Sequence, residues 1–284
     1  QGEVASYIPE LACVPADKFG MSLLTCDGRM FSVGDATERF SIQSISKVLS
    51  FAVAVQQIGP KVWDRVGREP SGSAFNSLVQ LESENGIPRN PFINAGAIVV
   101  ADIILSELHE AAQSVLDFVR ASSGVADIAF DEKVASSEAR TGFRNIALAN
   151  FIRSFDNLRN DPTEVLAAYF KHCSISMSCE ELANAFMFLA RNGKCLNGEQ
   201  LLSPERTKYI NALMLTCGTY DAVGDFAYRI GLPTKSGVGG GLVSVMPREF
   251  SVCVWSPGLD SQGNSLVGGR ALDLLTSKTG ISVF

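Results

Sequence analysis

The sequence predicts an α+β fold, in which strands from both chain ends form one antiparallel sheet that is flanked by helices, with a helical subdomain inserted. Short runs rich in Val, Ile and aromatic residues lie near the two chain ends, bounded by Gly and Pro. The middle of the chain instead repeats its apolar residues with a helical period. Helices packed on an antiparallel sheet are the simplest way for both kinds of element to bury their apolar faces.

The N-terminal part is predicted to contain a β-hairpin followed by a helix. Met21–Asp35 consists of two short strand-like runs around Asp27-Gly28, which is a common two-residue hairpin turn. Ser44–Val55 carries its apolar side chains at helical spacing. The Gly- and Pro-rich stretch Glu69–Asn94 is predicted to be irregular.

The middle of the chain is predicted to be mostly helical. The expected helices are Ala97–Glu110, Ser114–Ser122, Arg144–Ser154, Glu164–His172 and Cys179–Arg191. Ser178 is the predicted N-cap of the last of them. We expect a single domain over residues 1–284, with a sheet part at about 1–60 and 220–284 and a helical part at about 61–219.

The C-terminal part returns to strand patterns. Phe226–Leu232, Gly241–Met246 and Phe250–Ser256 are predicted strands, and Leu266–Ser277 is a predicted closing helix. These strands are expected to join the N-terminal hairpin in one sheet.

Composition excludes several classes of protein. The 284 residues are 46% hydrophobic and 19% charged, with a net charge of −6, which excludes intrinsic disorder. A mildly acidic chain without a basic run does not favour nucleic-acid binding. No membrane span is predicted, because the most apolar stretch, Ala95–Leu105, is too short and contains Asp102.

Histidine and cysteine usage narrows the chemistry further. The chain has two histidines, His109 and His172, and neither lies in a recognisable motif, so a zinc site or a Ser–His–Asp triad is not supported. Its seven cysteines form no Cys-x-x-Cys pair, which favours reduced thiols and a cytoplasmic protein. No motif indicates a cofactor.

Ser44-Ile45-Ser46-Lys47 is the sharpest local signal. Residues three apart on a helix share one face, so the Ser44 hydroxyl and the Lys47 amine are expected to lie close together. A serine hydroxyl becomes a nucleophile only when a base takes its proton, and a lysine serves as that base only if burial keeps it neutral. The pattern by itself is common, and a solvated lysine on a surface helix is the ordinary alternative.

A second motif supports the catalytic interpretation. Lys235-Ser236-Gly237 precedes the predicted strand Gly241–Met246, and serine acyl-transfer enzymes of the penicillin-recognising fold combine Ser-x-x-Lys with Lys-Thr/Ser-Gly on an edge strand. Tyr209-Ile210-Asn211 fits the Tyr-x-Asn element of those enzymes. Lys278-Thr279-Gly280 also matches the second motif, but we interpret it as the end of the last helix.

Longer blocks carry a specific resemblance. They are SYIPELA from Ser6, FSIQSISKVLS from Phe40, EPSGSAFNSL from Glu69, NPFINAGAIVV from Asn90, SEARTGFRN from Ser137, the segment around Tyr169, TCGTYD from Thr216, GLPTKSGVGGG from Gly231 and VWSPGLDSQGNS from Val254. With these blocks the chain resembles bacterial serine-dependent glutaminases of the β-lactamase-like superfamily. The resemblance runs from residue 6 to about residue 265.

The resemblance implies hydrolysis of L-glutamine to glutamate and ammonia, without a cofactor. Ser44 would attack the amide carbon and Lys47 would act as the base. Tyr7 and Tyr220 would relay protons, and the backbone N–H groups of Ser44 and Val238 would hold the oxyanion.

The resemblance also implies the residues that bind the amino-acid head group. Glu138 would pair with the α-ammonium, while Asn94, Asn145 and Tyr169 would hydrogen-bond the head group. Glu138 and Asn145 are seven residues apart and would face one pocket if that stretch is helical. The family further implies a homodimer or homotetramer.

Two other functions stay open at this point. One is a penicillin-binding or β-lactamase-type enzyme that uses Ser44, Tyr209 with Asn211, and Lys235. The other is a catalytically silent binding module on the same fold. The presence of all the candidate catalytic residues argues against this second alternative.

Overall fold

The computed structural model describes residues 2–71 and 78–284, and the strands of this part form two antiparallel sheets. In chain order the strands are β1 (Gly20–Thr25), β2 (Met30–Gly34), β3 (Phe40–Ser41), β4 (Ala129–Phe130), β5 (Ile175–Met177), β6 (Thr234–Ser236), β7 (Gly241–Met246) and β8 (Phe250–Trp255). The larger sheet has the order β2-β1-β8-β7-β6, and the smaller one has the order β3-β5-β4. The predicted joining of strands from both chain ends is confirmed.

Helices make up most of the rest. They are α1 (Pro9–Ala12), α2 (Ser46–Ile58), α3 (Leu78–Ser83), α4 (Asn94–Leu108), α5 (Ala111–Ser123), α6 (Glu132–Thr141), α7 (Phe143–Arg153), α8 (Pro162–Cys173), α9 (Cys179–Ala190), α10 (Pro204–Cys217), α11 (Val223–Arg229) and α12 (Leu266–Thr279). The described part of the chain also contains three short 3₁₀ turns, at Gln43–Ile45, Gly59–Asp64 and Tyr220–Ala222. The predicted α+β class is therefore confirmed.

The larger sheet is the middle layer between two groups of helices. In β8, Cys253 and Trp255 point into the main core, where α9 packs against the sheet. Val252 and Val254 point to the opposite face and join a second apolar cluster with Leu272 of α12. Because side chains alternate along a strand, a strand whose residues are all buried needs a cover on both faces.

α2 is the most deeply buried helix next to the site. Its first ten residues, 46–55, are all buried, and it packs against α4 and α5. A helix that is apolar on all sides occupies the interior of a domain. Lys47 therefore lies at the start of a helix that has no solvent-exposed face over its first turns.

Several predicted elements are confirmed. The hairpin, the helix after Ser44 and the closing helix all form, although helix ends move by a few residues. Ser178 is the N-cap of α9, and its side chain and that of Glu181 form a reciprocal capping box. Gly280, with φ of 68°, ends α12, which confirms that Lys278-Thr279-Gly280 is a helix stop.

The predicted strand Phe226–Leu232 is wrong. Residues 226–229 of this segment form the last part of α11, in which Phe226 is buried while Tyr228 is exposed. Phe226 and Ile230 lie four residues apart and share the buried side, so apolar residues at alternate positions imitated a strand. The edge of the sheet is formed instead by β6, which contains Lys235.

Other segments depart from the prediction or lie outside the described residues. The stretch Glu69–Asn94, predicted to be irregular, contains α3, while residues 72–77 of the EPSGSAFNSL block lie outside the described part. Helices α6 and α10 were not predicted, since Ser, Lys and Glu dilute the apolar pattern of α6. The division into a sheet part and a helical part stays a prediction.

Within residues 2–71 and 78–284, no helix combines the length and the apolar character that crossing a membrane requires.

A buried charge pair holds α4, the helix that begins at Asn94. Asp102 of α4 is fully buried and accepts a hydrogen bond of 2.6 Å from the Arg65 guanidinium. Its carboxylate also accepts hydrogen bonds from the backbone N–H groups of Arg159 and Asn160, at 3.0 and 2.8 Å. A single side chain on α4 thereby fixes two loops.

We predict that Asp102→Ala lowers the free energy of unfolding by about 3–5 kcal/mol, because it leaves the Arg65 charge buried without a partner. The matched control is Asp225→Ala, which removes the largely exposed carboxylate that pairs with Arg229. That change is expected to cost less than about 1 kcal/mol. Urea denaturation measures both, and equal losses would contradict the buried network.

Candidate active site

The predicted site residues surround one cavity of about 400 Å³. Those that line it are Tyr7, Ser44, Asn94, Glu138, Asn145, Tyr169, Tyr220 and Val238. Lys47 lies behind this lining and is 1% exposed. Residues that are more than two hundred positions apart in the sequence thus meet in a single pocket, as the resemblance implied.

Ser44 lies in a strained turn just before α2. It belongs to the 3₁₀ turn Gln43–Ile45, and the preceding Gln43 has a φ of 49°. A residue other than glycine adopts this conformation only when its surroundings hold it there, and such strain occurs often at functional sites. The Ser46 hydroxyl donates to the Gln43 carbonyl at 2.7 Å and stabilises the turn.

Lys47 is a buried amine rather than a solvated one. Its Nζ donates to Asn94 Oδ1 at 2.6 Å. Burial lowers the pKa of Lys47 from its ordinary value to about 8, against the opposing effect of the Glu138 charge. About one Lys47 amine in ten is therefore neutral at pH 7, far more than for an ordinary lysine, so the residue is suited to accept a proton.

A chain of amides extends from Lys47 to the far wall of the cavity. Asn94 accepts a hydrogen bond from Lys47 through its Oδ1. Its Nδ2 in turn donates to Asn145 Oδ1 at 3.0 Å. This polarity assigns the Asn145 NH₂ group as the donor end of the chain. An amide donor at the cavity wall suits a carboxylate.

Glu138 places a buried carboxyl group at the cavity. It lies on α6, and its Oε1 has no hydrogen-bond partner among the described residues. Burial raises the pKa of Glu138 to about 7, while a hydrogen bond from Gln43 and the charge of Lys47 oppose the rise. A carboxylate oxygen without a partner is costly in a closed site, so it favours the entry of a cationic group.

Glu138 and Asn145 do not share one helix, which the spacing had left as a condition. α6 ends at Thr141, Gly142 separates the two helices, and α7 begins at Phe143. A Cβ on Gly142 would lie 2.6 Å from the Glu138 carbonyl oxygen and 2.8 Å from the Phe170 ring. The close break between the helices lets both side chains reach the cavity.

The three predicted tyrosines differ in their surroundings. Tyr220 is buried, with a φ of 53°, and its hydroxyl interacts with those of Ser44 and Ser236. Burial raises the pKa of Tyr220 to about 12, and that of Tyr169 well above its ordinary value. Tyr7 is 61% exposed and stands at the mouth of the cavity.

The loop after β6 lies against the turn that contains Ser44. A Cβ on Gly237 would lie 2.6 Å from the Ile42 carbonyl oxygen and 3.4 Å from the Ser44 nitrogen. On Gly239, a Cβ would lie 2.5 Å from the Ser41 carbonyl oxygen. Glycines on both sides of Val238 therefore allow its backbone to approach Ser44, which is the arrangement that an oxyanion hole requires.

The Tyr209-x-Asn211 element lies outside this site. Tyr209 is on α10, is 38% exposed and donates to Glu205 at 2.5 Å. Its ring borders a different cavity, between α2 and α10. Asn211 Nδ2 donates to the Leu189 carbonyl at 3.0 Å, so it has a packing role within the core.

Sequence reasoning missed six residues of the lining, namely Ile8, Gln43, Thr141, Gly142, Arg144 and Cys173. Each is next to or one helical turn from a predicted residue, and that proximity was the available signal.

The two histidines lie outside the lining: His109 ends α4, and His172 is buried, with burial lowering its pKa to about 4.

The family model described as Glutaminase matches residues 2–284. The protein named "Glutaminase" from Paraburkholderia phytofirmans is 55% identical to this chain over 284 residues, which cover 100% of this chain and 93% of that protein.

Two solved structures are also similar. The one named "Probable glutaminase ybaS" has a TM-score of 0.96 and 38% identity, and the match covers 100% of this chain and 93% of that one. The Bacillus subtilis protein named "Probable glutaminase" and described as complexed with 6-diazo-5-oxo-L-norleucine has a TM-score of 0.90 and 34% identity, over 100% and 90% of the two chains.

Sequence and fold therefore agree over the whole length of the chain, and the chain belongs to the glutaminase family.

Proposed function

We propose that the protein hydrolyses the side-chain amide of L-glutamine to L-glutamate and ammonia through an acyl-serine intermediate. The observation that carries this mechanism is the buried Lys47, one turn after Ser44, behind a cavity that also presents the Glu138 carboxylate. Membership of the glutaminase family supplies the substrate.

In the first step Ser44 Oγ attacks the amide carbon of glutamine while Lys47 takes the hydroxyl proton. The carbonyl oxygen becomes an oxyanion, which accepts hydrogen bonds from the backbone N–H groups of Ser44 and Val238. The C–N bond then breaks, and the nitrogen leaves as ammonia after the proton held by Lys47 reaches it through Tyr220 or Tyr7, which returns Lys47 to its neutral form. Ser44 is left as an ester of the γ-carboxyl group.

In the second step water attacks this ester on the same face. Lys47 accepts a proton from the water, the ester C–O bond breaks, and the proton returns to Ser44 Oγ. The products are glutamate and the free enzyme, so no redox partner or cofactor takes part.

Recognition of the amino-acid head group uses the opposite wall. The Glu138 carboxylate pairs with the α-ammonium, while Asn145, Asn94 and Tyr169 provide neutral hydrogen-bonding groups. 6-Diazo-5-oxo-L-norleucine, which the Bacillus subtilis relative is described as binding, is an amino acid with a diazoketone in place of the amide of glutamine. This similarity supports a glutamine-shaped pocket here.

The β-lactam alternative loses support because Tyr209 and Asn211 lie outside the cavity that contains Ser44. No observation on the described residues favours the alternative of a catalytically silent binding module.

We further propose a homodimer or homotetramer in the cytoplasm. All seven cysteines are free thiols, which fits a reducing compartment. The proposed assembly rests on family membership, and Phe143 and Ile146 of α7, which are exposed at 75% and 38%, are apolar side chains that a subunit contact would cover.

We predict that Ser44→Ala and Lys47→Ala each reduce kcat for ammonia release from glutamine by at least about 10³-fold. Because the two residues act as a unit, the double variant should lose less activity than the product of the two single losses. A coupled ammonia assay, with asparagine run beside glutamine, measures this. Near-normal turnover of Lys47→Ala would remove the base assignment.

We predict that kcat/KM falls as the pH drops through about 8. Lys47, whose pKa is about 8, accepts protons only in the neutral form that exists above this pH. The fall steepens below about 7, where Glu138 becomes protonated and no longer pairs with the α-ammonium.

Glu138→Gln tests whether Lys47 causes the fall of kcat/KM at low pH, which we call the acid limb of the pH profile. The Glu138 charge raises the pKa of Lys47, so its removal is expected to move the limb to lower pH while KM rises. Glu132→Gln, at the exposed start of the same helix, is the control and should leave the profile in place. A limb that stays fixed in Glu138→Gln would disprove the link to Lys47.

We predict that Tyr220→Phe lowers kcat by about 10²–10⁴-fold, because its hydroxyl interacts with that of Ser44. Tyr209→Phe, which removes an exposed hydroxyl on α10, should change kcat by less than about twofold. Steady-state kinetics separate the two, and the reverse ranking would restore the β-lactam-type assignment.

A further inference from the structure

Lys235, the central residue of β6, is a fully buried lysine without a role in the proposed reaction. Its Nζ donates to two backbone carbonyls, those of Gly218 at 3.0 Å and Ser236 at 2.7 Å. Burial lowers the pKa of Lys235 well below its ordinary value, and the charge of Lys47 acts in the same direction. A neutral amine has two N–H groups, which are enough for these two carbonyls.

These two carbonyls belong to segments that meet beside Tyr220. The Gly218 carbonyl also accepts hydrogen bonds from the Ser236 N–H at 3.2 Å and the Ser236 hydroxyl at 3.3 Å. A Cβ on Gly218 would collide with the Thr234 carbonyl oxygen, so only glycine permits this approach. Lys235 thereby fastens the segment that leads into Tyr220 to the edge strand of the sheet.

The same amine lies 4.9 Å from the centre of the Tyr220 ring. Tyr220 has a φ of 53°, an uncommon conformation that persists only where the surrounding structure holds it. On the other side, the Tyr220 hydroxyl interacts with the hydroxyls of Ser44 and Ser236. The ring is thus held between the Lys235 side chain and the catalytic serine.

We propose that Lys235 is a positioning residue that holds Tyr220 against Ser44 by fastening Gly218 and Ser236 together and supporting the tyrosine ring. This assignment rests on the proposed role of Tyr220. It differs from the β-lactam-type interpretation, in which Lys235 would take part in the reaction together with Ser44, Tyr209 and Asn211.

The test replaces Lys235 by methionine, which keeps the length of the side chain and removes its donors. We expect Lys235→Met to lower kcat by about 10–10²-fold, with a change in KM of less than about threefold. The acid limb of the pH profile should stay near that of the unmodified enzyme, because Lys47 is untouched. A limb that moved to higher pH would overturn the proposal in favour of a charged Lys235 acting on Lys47.

A double-mutant cycle identifies the residue through which Lys235 acts. In a Tyr220→Phe background, Lys235→Met should reduce kcat by less than about twofold further, because the hydroxyl that it positions is already absent. Thr234→Val, a buried change in the same strand that removes a hydrogen bond to Ser244, is the control. It should lower Tm without lowering kcat.

Additive losses in the cycle, or a folded Lys235→Met enzyme with unchanged kcat, would overturn the positioning role. If Tyr220→Phe itself has no effect, the proposed function of Tyr220 fails instead, so the two failures are distinguishable. If Lys235→Met does not fold, the test uses Lys235→Gln, which retains an NH₂ donor. The Lys235→Gln enzyme should keep more activity than the Tyr220→Phe enzyme. Failure of both variants to fold would make Lys235 a structural residue and also overturn the proposal.

Discussion

The burial of the Lys47 amine at the start of α2 is the constraint on which the site depends. A lysine in water is protonated at neutral pH and has no lone pair to offer a serine. Removing it from water lowers its pKa to about 8, yet the amine still needs a hydrogen-bond partner, which Asn94 Oδ1 provides. The surrounding core therefore does more than stabilise the fold, since it sets the protonation state of the proposed base.

That burial requires several segments to converge. α2 is enclosed by α4 and α5, and α4 is itself held by the buried pair of Asp102 and Arg65. The sheet contributes the loop that contains Val238, which Trp255 fixes by donating its indole N–H to the Gly239 carbonyl at 3.0 Å. The groups proposed to be catalytic thus come from both layers and rest on these supports, and a small displacement of either layer would separate Ser44 from the loop.

Two strained residues mark the points where these layers meet. Gln43 and Tyr220 both have positive φ, and both line the cavity. In each case neighbouring hydrogen bonds compensate for the unfavourable backbone: the Ser46 hydroxyl bonds to Gln43, and the Gly218 carbonyl binds β6 next to Tyr220. The protein holds an unfavourable local conformation where it places a reactive hydroxyl.

Much of the layout was predictable from the sequence because it depends on local periodicity. The hairpin at Met21–Asp35, the capped helix after Ser178 and the stop at Gly280 follow from patterns within one element. Phe226–Leu232 was mistaken for a strand because a short run with apolar residues at alternate positions fits either period. Helix α6 was missed because its polar composition hides the helical period, although the helix packs on α8 and carries Glu138.

For the site, the sequence by itself determined the residue types and, through long matching blocks, the family. Only the tertiary structure decided which of them share a cavity: it separated Tyr209 from Ser44, placed Glu138 and Asn145 on two helices, and brought Lys235 beneath Tyr220. The reason is physical. Residue identity fixes what a group can donate or accept, whereas its pKa and its partners depend on burial and on neighbours that are distant in the chain.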